Sequence, residues 1–268
     1  MRSLKDLLSL EGRVALVTGG AGHIGLACAE ALAEMGARIV IADREKAACD
    51  ARAEDLRTRF GVETLGVAVD LADVENGAKA LVAAAVSQFG RLDVLVNNAA
   101  FTGKTNIPGW GVPFAEQSVD AWNAAMAVNL TAPFRLAQAA HGALAANGKG
   151  SIVNVSSIYG VVGPKWSLYE GTAMANPAGY GASKGGIVQL TRYLSTVMAP
   201  KVRVNCMGPG GVARGQPESF QKRYEESTPL GRMAIEEDFK GAFAYLASDA
   251  SAYVTGQHLL VDGGWTAW

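Results

Sequence analysis

Residues 14–25, VALVTGGAGHIG, decide the fold. The apolar run from Val14 to Thr18 shows no polar alternation, which predicts a strand buried on both faces. A glycine-rich turn follows, and an Ala-rich segment of helical periodicity then extends from Ile24 to Met35 and ends at a glycine. This order of strand, tight turn and helix predicts the beginning of an α/β domain.

The same alternation continues along the chain. Further strands are predicted at residues 39–42, 65–69, 94–96, 152–155, 202–204 and 259–261, and helices at 45–60, 73–89, 178–198 and 236–248. Asp73 is expected to cap the second of these helices, and Ser118 a long helical stretch that Pro133 should bend. Apolar strands that alternate with helices favour right-handed crossovers. The sequence therefore predicts a single α/β domain, with a doubly wound parallel sheet of about seven strands and helices on both faces.

Composition and charge exclude several classes of protein. The 268 residues have a net charge of −1 with scattered Lys and Arg, so we expect no nucleic-acid partner. No apolar run approaches the roughly 18 residues of a membrane span, and the charged first residues do not resemble a signal peptide. The three cysteines are far apart and the three histidines show no metal-ligand spacing, which predicts a cytoplasmic protein with reduced thiols and no metal site.

The turn after the first strand is a candidate phosphate site. Backbone N–H groups at the start of a helix bind a pyrophosphate when no side chain blocks the approach. Gly19, Gly22 and Gly25 leave that approach open. The alternative is a tight turn without a ligand, but a complete strand–helix–strand unit favours the nucleotide.

Acidic residues end the next two predicted strands. Asp43 lies 24 residues beyond Gly19, where a carboxylate accepts hydrogen bonds from ribose hydroxyls and repels a 2′-phosphate. This favours NAD over NADP, although the neighbouring Arg44 could face a 2′-phosphate. Asp70 is expected either to contact the adenine amine or to be the N-cap of the following helix.

Tyr180 and Lys184 lie four residues apart on a predicted helix and therefore share a face. A free tyrosine, with a pKa of about 10, is a poor base at neutral pH, and a nearby ammonium lowers that pKa. Such pairs also occur on ordinary solvated helix faces. The small residues around this one, in the sequence YGASKG, favour a helix packed closely on a cofactor. Ser156 and Ser157 end the preceding strand, where a hydroxyl can bind the substrate oxygen.

Taken in chain order, these residues resemble the motifs of the short-chain dehydrogenase/reductase family over nearly the whole chain. The matching positions are Thr18-Gly19, Asp43, Asp70, Asn97-Asn98-Ala99, Asn129, Ser157, Tyr180-x-x-x-Lys184, Pro209-Gly210 and Val261-Asp262-Gly263-Gly264. Each motif alone is modest evidence, whereas the full set in order is specific. The resemblance implies a Rossmann-type fold and an oxidoreductase that interconverts a secondary alcohol and a ketone with a nicotinamide cofactor.

The resemblance also implies the roles of individual residues. Tyr180 would transfer the proton, and Ser157 rather than Ser156 would bind the substrate oxygen. Lys184 would bind the nicotinamide ribose, and Asn129 would hold a water in the proton relay. NAD is the expected cofactor, with NADP less favoured and no metal. The expected cofactor contacts are Gly19, Gly22, His23, Ile24, Gly25, Asp43, Arg44, Asp70, Leu71, Asn98, Ala99, Tyr180, Lys184, Pro209, Gly210 and Val212.

Some positions depart from the family pattern. His23 stands where the short form of the family has glycine, so the glycine spacing is similar to that of the extended branch, and we expect its side chain on the rim of the loop. Ala100 also replaces a glycine. No threonine follows Pro209-Gly210 at the usual offset, so the backbone of Val212 is expected to contact the nicotinamide amide.

Irregular segments after predicted strands, at residues 101–117, 160–179 and 212–232, are expected to wall the substrate. The segment 160–179 is longer than the resemblance implies and carries Lys165, Trp166, Tyr169 and Glu170. These side chains fit a sugar or sugar-derived substrate, and a lid or subunit contact is an equal alternative. Residues of the other loops that could meet an acidic or phosphorylated substrate are Lys104, Trp110 and Arg214.

Two other functions are compatible with the fold. A non-catalytic NAD-binding sensor or scaffold would be expected to lack a catalytic residue, and here all are present. An epimerase or dehydratase, which the glycine spacing suggests, would recycle a tightly held NAD. Family members usually form tetramers through their long helices and C-terminal edge, so we expect a homotetramer, with Trp265 and Trp268 at an interface or beside a neighbouring active site.

Overall fold

The computed structural model describes residues 1–102 and 107–268. One parallel sheet has the strand order β3-β2-β1-β4-β5-β6-β7, in which the chain reverses direction of winding beside β1. The strands are β1 (Val14–Thr18), β2 (Arg38–Asp43), β3 (Thr64–Ala68), β4 (Val94–Asn97), β5 (Gly150–Val155), β6 (Val202–Pro209) and β7 (His258–Val261). The predicted doubly wound α/β fold is confirmed.

Helices cover both faces of this sheet, and β1 shows why. Its Ala15 and Val17 side chains belong to the core on one face, whereas Val14 and Leu16 belong to the core on the other. Every residue of the strand is buried, as the unbroken apolar run predicts. The helices are α1 (Leu4–Leu8), α2 (His23–Glu34), α3 (Lys46–Phe60), α4 (Gly77–Phe89), α5 (Val119–Met126), α6 (Ala132–Ala145), α7 (Ala178–Val197), α8 (Glu218–Glu226) and α9 (Lys240–Ala247).

The predicted bend at Pro133 takes the form of a π-helical turn, Ala127–Thr131, which joins α5 to α6. The N–H of Ala132 donates to the carbonyl of Ala127, five residues earlier. Pro133 follows at the start of α6 and has no N–H with which to continue the helical ladder. Ser118 caps α5 as predicted, because its hydroxyl accepts from the N–H of Ala121.

Some of the predicted elements are wrong, among them the strand at 202–204, which extends to Pro209 as β6. Helix α4 begins at Gly77, because Asp73 forms a separate turn in which its carboxylate accepts from the N–H of Asn76 at 3.2 Å. The segment 212–232, predicted to be irregular, contains α8. Across residues 1–102 and 107–268, no helix combines the length and the apolar character that a bilayer crossing requires.

Candidate active site

The glycine loop between β1 and α2 contains glycines of two kinds. Gly19 has a φ of +62°, and a Cβ there would lie 2.9 Å from the Cα of Ala99. A Cβ on Gly25 would overlap the carbonyl of Gly19. Gly22, by contrast, has no atom within 4 Å of its Cβ position and begins α2 without a side-chain cap. The first N–H groups of α2 are therefore left for an anion, as a pyrophosphate site requires.

Asn98, predicted to contact the cofactor, fastens this loop to the end of β4. Its amide donates to the carbonyls of Thr18 at 2.9 Å and Gly19 at 3.1 Å. The Thr18 hydroxyl in turn accepts from the N–H groups of Asn98 and Ala99. The Asn98 side chain thus shapes the site through the loop.

The acidic residues at the ends of β2 and β3 differ in their partners. Asp43 accepts from the N–H groups of Ala21 at 3.3 Å and Arg44 at 2.8 Å, which places its carboxylate beside the glycine loop. Asp70 accepts from the N–H of Ala72 at 2.9 Å and does not cap α4, so the N-cap alternative is wrong. Leu71 is buried in the core, so its backbone is the part that can face a ligand.

Three side chains of the predicted catalytic set meet where β5 ends against α7. The Ser157 hydroxyl lies close enough to Tyr180 to lower the pKa of the phenol. The ammonium of Lys184 lies 5.8 Å from the centroid of the Tyr180 ring and donates to the carbonyl of Val155 at 2.8 Å. Because Lys184 is only 3% exposed and an ammonium carries three protons, this buried cation has donors left for a ligand.

The structure distinguishes the two serines at the end of β5. The Ser156 hydroxyl donates to the carbonyl of Lys184 at 2.8 Å and holds α7 against the sheet. Ser157 points to the other side, towards Tyr180, and its hydroxyl also accepts from the N–H of Tyr159 at 3.2 Å. Only Ser157 is therefore placed to share a ligand oxygen with Tyr180.

Burial dominates the electrostatics of this cluster. It raises the pKa of Tyr180, which the nearby Ser157 hydroxyl and the charge of Arg214 act to lower. Burial also lowers the pKa of Lys184 to about 8. The pKa of Tyr180 is thus raised in the protein alone, where the neighbouring ammonium was expected to lower it, because desolvation disfavours the charged forms of both side chains.

Comparison with known proteins identifies the family of the chain. A short-chain dehydrogenase family model, described as enoyl-(acyl carrier protein) reductase, matches residues 19–266. The chain is a short-chain dehydrogenase/reductase. The family predicted from the motifs is confirmed, and the protein is an oxidoreductase of hydroxyl-bearing substrates.

Three similar proteins show the range of this family. Cis-4-hydroxycyclohexanecarboxylate dehydrogenase of Sinomonas cyclohexanicum is 39% identical over 95% of this chain and 97% of its own length. Galactitol 2-dehydrogenase (L-tagatose-forming) of Cereibacter sphaeroides is 35% identical, with 98% and 99% covered. The crystal structure of a gluconate 5-dehydrogenase from Burkholderia cenocepacia J2315, in complex with NADP and tartrate, has a TM-score of 0.87 at 31% identity, with 99% and 100% covered.

Asn129 lies in the π-helical turn of the dehydrogenase and is 2% exposed. Its carbonyl oxygen accepts from the N–H of Phe101 at 2.7 Å, and its amide donates to the hydroxyl of Ser183 at 3.0 Å. The side chain therefore joins the loop after β4 to the helix that carries Tyr180. The backbone of the turn is the part left for a relay water.

The small residues around Tyr180 and Lys184 pack against protein. A Cβ on Gly186 would lie 2.8 Å from the side chain of Leu130, and one on Gly179 would lie 3.3 Å from the Cα of Trp122. Close contact with the π-helical turn and α5 accounts for these two glycines, which flank the sequence YGASKG, whereas a Cβ on Gly181 or Gly185 would lie no closer than 3.6 Å to its nearest contact. The tight packing fixes α7 and with it Tyr180.

The departures from the family pattern have local explanations. His23 has a φ of +49°, a backbone conformation that favours glycine, and its ring lies on the exposed rim of the loop, 3.3 Å from Glu236. Glu236 also accepts from Arg214 at 3.1 Å. After Pro209-Gly210, the carbonyl of Val212 accepts from Gln216 at 2.7 Å, whereas no described residue accepts from its N–H. That N–H is the group available to a carboxamide.

The segment 160–179 is fastened to α8 within the same chain. Arg223 donates to the carbonyls of Ser167, Leu168 and Glu170, and Lys165 donates to the hydroxyl of Ser227 at 2.9 Å. Trp265 was predicted at an interface or beside a neighbouring active site. It is buried in a largely aromatic cluster with Ile158, Leu168, Phe220, Tyr224 and Met233, against which Tyr159 and Tyr169 pack. Trp268 is 80% exposed. Trp110 packs edge-on against Phe101, and Lys104 lies outside the described residues.

Sequence reasoning missed the hydroxyl groups inside this cluster. The hydroxyls of Tyr159 and Tyr169 are 2.7 Å apart, and Asn176 donates to Tyr169 at 3.3 Å. Tyr159 follows Ser157 by two residues and Asn176 precedes Tyr180 by four, so their nearness to the predicted site was visible in the sequence. Their mutual contact was not, because the partner Tyr169 comes from a segment without regular structure.

Proposed function

We propose that the enzyme interconverts a secondary alcohol and a ketone with NAD(H), acting on a polyhydroxylated or ring-shaped substrate of the sugar or sugar-derived kind. The observation that carries this is the meeting of Ser157, Tyr180 and Lys184 at the end of β5, beside a glycine loop open to an anion. The bound dinucleotide supplies the hydride acceptor for oxidation and the hydride donor for reduction.

The residues that would hold the cofactor follow the carboxyl edge of the sheet. The glycine loop and the start of α2 would bind the pyrophosphate, Asp43 with Arg44 the adenosine ribose, and Asp70 with Leu71 the adenine. Lys184 and the N–H of Val212 would bind the nicotinamide riboside. The full proposed set is Gly19, Gly22, His23, Ile24, Gly25, Asp43, Arg44, Asp70, Leu71, Asn98, Ala99, Tyr180, Lys184, Pro209, Gly210 and Val212.

Proton transfer is assigned to the chain's own residues. Ser157 donates a hydrogen bond to the substrate oxygen, and Tyr180 removes the hydroxyl proton during oxidation or returns it during reduction. Lys184 stabilises the phenolate as it forms, and Asn129 positions the water through which the proton leaves. Because burial raises the pKa of Tyr180, the free enzyme holds the protonated phenol at neutral pH, the form that reduction needs.

The preference for NAD over NADP rests on Asp43. Its carboxylate lies beside the glycine loop, where it would accept hydrogen bonds from ribose and repel a 2′-phosphate. Two observations favour NADP instead. Arg44 is exposed next to Asp43, where it could face a 2′-phosphate, and the similar gluconate 5-dehydrogenase structure contains NADP. The two cofactors are therefore compared in the same assay.

A second proposal concerns assembly and location. The apolar residues Trp122, Tyr193 and Val197 are 40%, 60% and 56% exposed on α5 and α7, and β7 leaves one edge of the sheet open. These surfaces support a homotetramer formed with further copies of the chain. The mass in solution by light scattering tests this, and a monomer contradicts it. Cys28, Cys49 and Cys206 are buried thiols, which fits the reducing cytoplasm.

The test of the reaction is the absorbance of reduced nicotinamide on mixing the enzyme with NAD or NADP and a panel of alcohols. The panel contains polyols, ring alcohols, hydroxy acids, sugars, sugar nucleotides and steroids. We expect turnover of one substrate class, faster with NAD. Tight NADH binding without turnover of any alcohol or ketone would contradict the proposal and favour a sensor.

A further inference from the structure

An unused hydroxyl proton lies beside the proposed catalytic residues. Tyr169 accepts a hydrogen bond from Asn176 and shares one with Tyr159. Two tyrosine protons are present and the bond between the two oxygens uses one of them. Among the described residues neither hydroxyl has another acceptor, so one O–H has none whichever way the shared bond points.

A second unused donor belongs to the same cluster. Trp265 is 8% exposed, and its indole N–H has no partner among residues 1–102 and 107–268. Its ring packs edge-on against Tyr159, with the centroids 6.3 Å apart. Tyr159 and Tyr169 are half-buried, whereas the indole N–H is fully buried. A buried donor without an acceptor is costly, so this N–H beside an unused hydroxyl proton indicates a site for an acceptor.

The cluster is next to the reacting position. The N–H of Tyr159 donates to the hydroxyl of Ser157 at 3.2 Å, and Tyr169 lies near enough to Tyr180 to contribute to its raised pKa. Burial, followed by the charge of Tyr169, also raises the pKa of Tyr159, so this phenol keeps its proton throughout the working range of pH. The donors are neutral and the walls are aromatic.

We propose that Tyr159, Tyr169, Asn176 and Trp265 form a subsite for a second oxygen of the substrate, a hydroxyl or carboxylate held close to the carbon that is oxidised. This deepens and rests on the proposed function, since it names what the substrate carries besides the reacting alcohol. Because these donors are neutral, they can donate to the second hydroxyl of a diol as well as to the carboxylate of an acid. A simple alcohol leaves the donors unpaired.

The test compares cyclohexanol with 1,2-cyclohexanediol in the wild type and in the double variant Tyr159→Phe/Tyr169→Phe. Both hydroxyls must be removed, because the loss of one frees the proton of the other. We expect kcat/KM for the diol to fall about tenfold or more and that for cyclohexanol to stay within about threefold, since the variant loses donors that only the second oxygen of the diol uses. Tyr253→Phe, at a fully exposed side chain, is the matched control and should change neither value.

Calorimetric affinities of the same two alcohols, measured with NADH bound, separate this subsite from the reaction itself. If the wild type turns over neither alcohol, ring alcohols are excluded as the substrate class of the proposed reaction, and the ratio of the two dissociation constants still decides the subsite. A diol preference that is unchanged in the double variant overturns the inference. An equal loss for both alcohols also overturns it, because it would show a merely structural role.

Discussion

The two halves of the proposed cleft are built differently. On the nucleotide side, glycines and backbone N–H groups within residues 18–25 form the site, and Asn98 and Asp43 hold them from neighbouring strands. On the substrate side, aromatic side chains from the segment 160–179, α8 and the C-terminus pack together. The first half depends on local backbone shape, and the second on contacts between distant segments. Variants should therefore be able to damage either half alone.

The largest difference between the effect on catalysis and the effect on cofactor binding is expected from Tyr180→Phe. Loss of the proton-transfer hydroxyl should lower kcat by about 10²- to 10⁴-fold, the usual contribution of a general acid or base. The affinity for NADH should change little, since the ring and its packing remain. Steady-state kinetics and a fluorescence titration with NADH measure the two effects, with the exposed Tyr253→Phe as the control.

Lys184→Met should impair catalysis and stabilise the fold. Burial lowers the pKa of Lys184 to about 8 from 10.5, so between those values the unfolded chain binds more protons and wild-type stability rises with pH. The variant escapes this cost, which at about 1.4 kcal/mol per pKa unit is at most about 3 kcal/mol. Denaturant unfolding at several pH values should show the variant's advantage below pH 8 and its loss near pH 10.5. A constant difference at all pH values would contradict the assignment.

A pair of glycine variants sharpens the contrast inside the nucleotide half. Gly25→Ala should destabilise the fold by about 1–3 kcal/mol, because its methyl group would overlap the carbonyl of Gly19. Gly22→Ala meets no protein atom within 4 Å and should leave stability within about 0.5 kcal/mol while weakening cofactor binding. Thermal unfolding and NADH titration of both variants provide the check, and equal destabilisation by the two would count against the anion site.

The smallest effect is expected from Asp43→Ser. Removing the carboxylate should lower the ratio of kcat/KM for NAD to that for NADP by about tenfold, since one charged hydrogen-bond acceptor is lost and a repulsion of the 2′-phosphate disappears. Asp43 belongs to the nucleotide half, so KM for the alcohol should be unchanged. Arg44→Ala should move the cofactor ratio in the opposite direction.

The same contrast explains what the sequence could predict. The run Val14–Thr18 is buried on both faces and coincides with β1, because an apolar strand between helices needs no long-range information. Helix α8 was missed, since only Phe220 and Tyr224 of its charged sequence are buried. Their spacing of four residues, after Pro217, was the available signal.

Site residues divide in the same way. Tyr180, Lys184 and Ser157 follow from motif and register, and their mutual placement is local to β5 and α7. The hydroxyl pair of Tyr159 and Tyr169 depends on how Arg223 of α8 holds an irregular segment. No periodicity encodes that contact, so it appears only once the chain is folded.

The most direct test of the central claim uses the best alcohol of the panel with deuterium on its carbinol carbon. Direct oxidation by the bound dinucleotide predicts that the reduced cofactor is released, accumulates in proportion to ketone and carries the deuterium. Deuterium that returns to the product, with no net reduction of the cofactor, would contradict the account and favour an epimerase or dehydratase that recycles its NAD.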